Sequence, residues 1–231
     1  MIIKNLFAKE TLVAEYEQQQ YNQAVYKGSL FSSDLCVVSE DENLEDGTMS
    51  KDGDSEIPDS TTLTSAALLD VDGESVDYSY NVYEKLYPAS TTKILTAYII
   101  LKNCDLNATV TVSHDAANPG HSSSVCGLKE GDVITVQDLL YGLLLESGND
   151  AAIALAEYCS GSVEEFAKLM NSTAKSFGAT NSSFVNPSGL PDENHYTTIY
   201  DMYLIFSNAI SLESFVAIIS SQTCLLYTSP S

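Results

Sequence analysis

Positive charge is scarce in this chain. Ten Lys plus Arg stand against 32 Asp plus Glu over 231 residues, a formal net charge of -22. Phosphates would be repelled, which excludes nucleic acid as a partner. Adsorption to an anionic membrane surface is excluded for the same reason. No apolar run reaches the roughly 18–20 residues of a membrane span, and the opening Met1-Ile-Ile-Lys-Asn-Leu-Phe is too short and too soon polar to read as a secretion signal. Histidines number three, His114, His121 and His195, and no G-x-S-x-G string occurs, so a histidine-based hydrolase has little support. The five cysteines, Cys36, Cys104, Cys126, Cys159 and Cys224, are widely spread and contain no C-x-x-C pair. A zinc site or a disulfide framework is therefore not expected, and the thiols are read as isolated and buried.

The chain divides by composition. Residues 1–38 read as an N-terminal segment: an amphipathic helix up to about residue 28, weakened by Gln18-Gln19-Gln20, then an extended piece at Leu35–Val38. Residues 39–62 form an acidic linker, with nine carboxylates against the single Lys51 between Ser39 and Ser60, and too little apolar surface to order itself. Asp41–Gly47 resembles a calcium loop, but its glycine falls one place late and no bidentate Glu follows, so no metal site is assigned. Residues 63–223 are the expected catalytic domain, and residues 224–231 read as a non-native tail.

Within the third segment, Ser65–Asp70 reads as a strand, Asp72-Gly73 as a hairpin turn and Ser75–Tyr80 as the return strand. Thr109–Ser113 and Val133–Val136 are short extended pieces around a loop at 116–131. Helices are expected over Gln137–Leu145, over Asp150–Cys159 and behind the capping box Ser162-Val-Glu-Glu165. There Val163, Phe166, Ala167, Met170, Ala174 and Phe177 share one face. Asn186-Pro187 and Gly189-Leu190-Pro191 mark a long turn. Thr198 and Asp201 cap a helix to about Ile210, and a last short helix covers Leu212–Ile219. Set against so many helices, the strands look like part of a sheet rather than a whole one.

One stretch stands out. After Tyr87-Pro88-Ala89-Ser90-Thr91-Thr92-Lys93 the sequence from Ile94 to Leu101 is apolar on nearly every side, which predicts a helix buried all round and ending near Asn103. Pro88 suits a helix start. Ser90 and Lys93 are three apart and share a face. A serine hydroxyl is a poor nucleophile until a base takes its proton. Lysine is a base only when neutral, so its pKa of about 10.4 has to fall by roughly 3 units, at a cost of about 4 kcal/mol. A serine cap beside a lysine that snorkels to water would account for the string without chemistry. Ser147-Gly148-Asn149 forms a second polar knot, at a forced break between two helices. Serine can relay a proton, and asparagine both donates to and accepts from a peptide. A helix-ending glycine followed by an asparagine cap accounts for that string equally.

Taken together, Tyr87-Pro-Ala-Ser-Thr-Thr-Lys93, Ser147-Gly-Asn-Asp-Ala-Ala152, Gly127-Leu-Lys-Glu-Gly-Asp132 and His195-Tyr-Thr-Thr198 resemble the D-alanyl-D-alanine carboxypeptidases of peptidase family S11, the low-molecular-mass penicillin-binding proteins. The resemblance spans about Ser65 to Thr223. It implies an α+β, β-lactamase/transpeptidase-like fold, an antiparallel sheet flanked by helices with a mostly helical lobe from about Cys104 to Phe215. It implies that Ser90 is the acylated nucleophile, Lys93 its base, Ser147 the proton relay and Asn149 the residue that holds the substrate amide and orients Lys93. His195 falls in a stretch that is structural in the family. The implied substrate is a peptidoglycan stem peptide ending in D-Ala-D-Ala, with β-lactams as inhibitors, no cofactor and no metal. A monomer outside the membrane, in the cell envelope, is expected. The third family motif, Lys-Thr-Gly or Lys-Ser-Gly, is absent. Lys27-Gly28-Ser29 has the wrong order and lies before Ser90. The chain is therefore expected to be a C-terminally truncated piece with an incomplete sheet and impaired activity. A non-catalytic peptidoglycan-binding module and a serine β-lactamase are the alternative functions. The latter would need a carboxylate to activate the deacylating water, and the E-x-x-x-N pattern that supplies one is missing.

Overall fold

The computed structural model describes residues 64–70, 75–120 and 124–221. The N-terminal segment, the acidic linker with its calcium-like string, the Asp72-Gly73 turn, His121 and the C-terminal tail lie outside the described residues. The chain forms two compact units that divide between Glu84 and Lys85.

The first unit holds a hairpin, β1 (Ala66–Asp70) and β2 (Ser75–Tyr80), paired antiparallel. Its register runs Leu68↔Tyr78 and then Leu69↔Val76, so Asp77 is an extra residue and the ladder carries a bulge. Ser65 Oγ donates to the Asn81 carbonyl at 2.7 Å and ties the base of the hairpin.

The second unit is mostly helical and is built around α1 (Thr92–Asn103). Ile94, Leu95, Ala97, Ile99 and Ile100 are buried on it, as the all-round apolar run predicts, and only Tyr98 and the last turn reach solvent. The short pair β3 (Thr109–Thr111) and β4 (Val133–Thr135) is antiparallel, Val110 opposite Ile134. A four-residue helix, α2 (His114–Ala117), opens the stretch read from sequence as loop, because Ser113 caps it by accepting the Ala116 N–H at 3.0 Å. Then come α3 (Val136–Leu145), α4 (Asn149–Ser160), α5 (Val163–Ser176), α6 (Ile199–Ile210) and α7 (Glu213–Ile219). Thr135, Ser162 and Thr198 cap α3, α5 and α6, each accepting an N–H three residues on. The α5 face is buried at Phe166, Ala167, Met170 and Ala174, while Phe177 ends the helix and meets Tyr98 edge-on at 5.0 Å. α1 packs against α3, α4, α5, α6 and α7. Each fully buried aliphatic side chain at these contacts contributes about 1.5–3 kcal/mol.

The resemblance implies a single antiparallel sheet. Among the described residues the strands form two separate pairs, and two isolated antiparallel bridges, Leu86–Thr197 and Ser183–Tyr196, lie outside them within the second unit. No single helix among them is long and apolar enough to cross a membrane.

Candidate active site

Ser90 lies not in the long helix but in a single 3-10 turn, Ala89–Thr91, that leads into it. Pro88 accepts both the N–H and the hydroxyl of Thr91, at 3.2 and 2.6 Å, and so starts the turn. The turn leaves Ser90 exposed while Thr92 and Lys93, the next residues to enter the helix, are buried. Ala89 holds a left-handed backbone, φ 49°, unusual for a residue with a Cβ. Its carbonyl abuts Gly189, where an added Cβ would stand 1.8 Å from the Ala89 oxygen. Gly189, itself at φ 86°, is the residue that admits this approach.

Lys93 is 2% exposed and its Nζ has three partners. It lies 3.2 Å from Ser90 Oγ, 2.8 Å from Asn149 Oδ1 and 2.8 Å from the Ser188 carbonyl. An ammonium has three N–H donors, and all three are used. Burial lowers the amine to about 8, against the raising pull of the Cys126 thiol and the Asp150 carboxylate. The chemical consequence follows from the partners. An amide oxygen and a backbone carbonyl can only accept. When Lys93 loses its proton, those two keep the remaining N–H groups, and the lone pair is left facing Ser90, the one partner that can donate. The geometry makes the amine a base toward that hydroxyl and toward nothing else around it.

Asn149 is the first residue of α4 and is 6% exposed. The sequence alone suggests a glycine ending one helix and an asparagine capping the next. The structure inverts those roles. Ser147 takes the left-handed conformation, φ 61°, and Gly148 is the cap of α4 at φ -63°. Glycine is needed there for space: an added Cβ would lie 2.4 Å from Cys126 Sγ and 2.8 Å from Asp150 Oδ1. Ser147 is half-buried, and among the described residues its hydroxyl makes no hydrogen bond to Ser90 or Lys93.

Asp150 was not singled out from sequence. It is 1% exposed, and its carboxylate accepts from the N–H groups of Cys126, Gly127, Leu128 and Ala151 at 2.9–3.1 Å. It thereby moors the 124–128 loop to the start of α4, helped by the Asn149 N–H donating to the Ser124 carbonyl at 2.8 Å. Cys126, held in this loop, has its thiol pushed up to about 12 by burial and by the Asp150 and Glu146 carboxylates.

The turn read at 186–191 is the other unforeseen component. Asn186 Oδ1 accepts from the N–H groups of Ser188, Gly189 and Leu190 at 2.7–3.2 Å, and Thr96 Oγ1 on α1 donates to the Pro187 carbonyl at 2.7 Å. These contacts aim the Ser188 carbonyl at Lys93. His195, as expected, is structural: it is 1% exposed, its Nδ1 accepts from the Val185 N–H at 3.2 Å, and its Nε2–H therefore donates to Thr92 Oγ1 at 2.9 Å. Burial lowers its pKa, which keeps it neutral. No group of three or more His, Cys, Asp or Glu side chains that could hold a metal occurs among the described residues.

The cysteines depart from expectation. Cys104, Cys126 and Cys159 are free thiols and are all half-buried rather than buried.

Comparison with known proteins adds the following. A family model described as D-alanyl-D-alanine carboxypeptidase, peptidase S11, matches residues 53–223. D-alanyl-D-alanine carboxypeptidase DacF of Bacillus subtilis is 41% identical over 154 residues, 65% of this chain and 39% of its own length. DacC of Escherichia coli is 46% identical over 134 residues, 54% of this chain and 34% of its own. Among solved structures, the D-alanyl-D-alanine carboxypeptidase DacD from Francisella tularensis superposes with TM-score 0.60 at 37% identity, covering 64% of this chain and 37% of that one. The D-alanyl-D-alanine carboxypeptidase from Mycobacterium tuberculosis gives 0.63 at 33% identity, covering 67% and 58%. The chain thus spans between a third and two fifths of the length of these curated relatives. The fold is α+β and of the β-lactamase/transpeptidase type, as expected.

Proposed function

Because this chain belongs to the D-alanyl-D-alanine carboxypeptidase family, peptidase S11, we propose that the protein it represents removes the terminal D-alanine of peptidoglycan stem peptides through an acyl-enzyme on Ser90. One observation carries the reading: the Lys93 amine is buried, fully coordinated, and on deprotonation has its lone pair directed at the Ser90 hydroxyl. Lys93 takes the Ser90 proton as Oγ attacks the penultimate D-alanine carbonyl. Ser147 relays a proton to the departing D-alanine. The Asn149 amide N–H donates to the stem peptide while its oxygen holds Lys93. Water then frees Ser90.

The partners are a stem peptide ending in D-Ala-D-Ala and, as inhibitors, β-lactams. The site of action is the cell envelope, with residues 39–62 as a spacer and residues 63–223 as the catalytic domain. The sequence contains no Lys-Thr-Gly or Lys-Ser-Gly, so no residue here is assigned the carboxylate-binding and oxyanion contacts that the family draws from that motif. Losing one oxyanion donor costs about a hundred- to thousandfold in rate. Asp150 is not a candidate for activating a deacylating water, since both its oxygens are committed to backbone N–H groups.

Labelled penicillin tests the reading. A stable adduct on the Ser90 peptide is expected, absent in Ser90→Ala and reduced at least a hundredfold in Lys93→Met. Equal labelling of Ser90→Ala would overturn the assignment. Rapid turnover without an adduct would make the protein a β-lactamase, and retention on purified cell wall with no acylation would make it a binding module.

A further inference from the structure

We propose that Lys85, Tyr87 and Tyr196 form a subsite beside Ser90 that takes a carboxylate of the substrate peptide, two to three residues upstream of the bond to be cut. The inference rests on the carboxypeptidase reading above and adds to it a preference for acidic peptides.

Backbone pairing places the three side chains together. Leu86 and Thr197 exchange both backbone hydrogen bonds, at 2.8 and 2.9 Å, in an antiparallel bridge. One residue further along that register, Tyr87 stands across from Tyr196. Lys85 is the diagonal neighbour of Tyr196, within reach of a long side chain. Alternation puts all three on the face opposite Leu86 and Thr197. Their exposure agrees: Thr197 is buried, Tyr196 is half-buried, and Lys85 and Tyr87 are exposed, Tyr87 at 68%. The Lys85 Nζ lies 4.3 Å from the centre of the Tyr196 ring.

The platform is held from behind. Tyr196 exchanges both backbone hydrogen bonds with Ser183, at 2.8 and 2.9 Å. Thr197 Oγ1 lies 2.7 Å from Ser182 Oγ, which donates to the buried Asp201 carboxylate at 2.6 Å. His195, the residue before the ring, is bound to Thr92, the neighbour of Lys93. Ring and ammonium therefore keep a fixed place relative to the base that activates Ser90.

A cation drawn to a ring face keeps N–H donors on its far side for an anion. Lys85 makes no ion pair among the described residues. In a chain of net charge -22, an anionic ligand is attracted where a cation is held without a carboxylate partner. The exposed Tyr87 ring offers the adjoining part of the peptide an apolar surface. Distance selects the carboxylate. Lys85 lies three residues before Pro88, where the turn holding Ser90 begins, so about 10 Å of extended chain separates them. A stretched peptide covers about 10 Å in three residues. The terminal carboxylate of the substrate is one residue beyond the scissile carbonyl and falls short, whereas a side chain two to three residues upstream reaches.

The test uses the whole 231-residue chain carrying Ser90→Ala, so that bound peptide is not consumed. Acetyl-Glu-Glu-D-Ala-D-Ala and acetyl-Gln-Gln-D-Ala-D-Ala are titrated in turn, and dissociation constants are read from heteronuclear NMR shifts. The acidic peptide is expected to bind about fivefold more tightly. Adding Lys85→Gln should equalise the two and Lys85→Glu should invert the order. Lys85→Arg should keep it, since a guanidinium also stacks on a ring. Tyr87→Ala should weaken both peptides alike, and unchanged binding there would strike Tyr87 from the subsite. Equal affinity for the two peptides, or a preference that survives Lys85→Gln, would overturn the proposal, as would binding of neither peptide. Penicillin labelling of the unaltered chain keeps the two readings apart. Labelled Ser90 with equal peptide affinities refutes the subsite and leaves the carboxypeptidase reading standing. Discrimination through Lys85 without labelling supports the subsite and refutes the acyl-enzyme.

Discussion

Replacing Asn149 by Asp tests whether Lys93 acts through its neutral form. The substitution keeps size and shape and sets a carboxylate where the amide oxygen now lies, 2.8 Å from Nζ. An opposite charge at about 4 Å stabilises an ammonium by ~4 kcal/mol at an effective dielectric near 20, and observed shifts from such neighbours are about 1–3 units. Lys93, now lowered to about 8, should therefore titrate between about 9 and 11. At pH 7 the neutral fraction falls from about 9% to between ~1% and ~0.01%, so acylation of Ser90 should slow by roughly 10- to 1,000-fold. Two measurements check this on one sample. Competitive labelling of amines with trace isotopic acetic anhydride, resolved by peptide, reads the Lys93 titration directly. Acylation by fluorescent penicillin across pH 6–10 reads its consequence. In the parent chain the rate should rise about tenfold from pH 7 to pH 9 and level off. In Asn149→Asp the rise should be displaced upward by the same interval as the labelling curve, with activity recovering at high pH. Asn149→Leu, which removes the contact without adding charge, should lose activity at every pH. A slowed Asn149→Asp whose pH profile has not moved would refute the reasoning, because positioning alone would then account for the loss.

Three further outcomes are expected. Gly189→Ala should destabilise the fold by about 2–4 kcal/mol, since a Cβ meets the Ala89 carbonyl at 1.8 Å on a backbone at φ 86°. Urea denaturation measures it, and penicillin acylation should fall as well because Ser90 follows Ala89. Asp150→Ala should cost about 3–5 kcal/mol by leaving buried N–H groups of Cys126, Gly127 and Leu128 without an acceptor. Asp150→Asn, which keeps one oxygen, should cost less, and limited proteolysis should cut the 124–128 loop in both. Finally, folding stability should depend on pH through Lys93. Its folded pKa, about 8, lies below the ordinary 10.5, so between those values the unfolded chain binds more protons. Stability gains from this group as pH rises from about 8 to about 10.5. Lys93→Met should abolish that gain in denaturation curves, and a gain of the same size in the variant would assign it elsewhere.

Local pattern alone carried a good deal of this protein. The unbroken apolar run from Ile94 requires cover on every side, and α1 has it. Serine and lysine three residues apart come together because one turn of 3-10 or α-helix brings them there. The caps at Ser162 and Thr198 depend on contacts three residues long and were legible for that reason. Tertiary structure decided the rest, because it concerns groups with no residue signature or partners far apart in the chain. The third ligand of Lys93 is a backbone carbonyl 95 positions away, which any residue type could supply. The left-handed residue before α4 is Ser147 rather than the neighbouring glycine, since Gly148 is needed to make room for Cys126. Asp150 reads in sequence as an ordinary first-turn acid and becomes an anchor only when a loop more than 20 residues earlier lays its N–H groups over it.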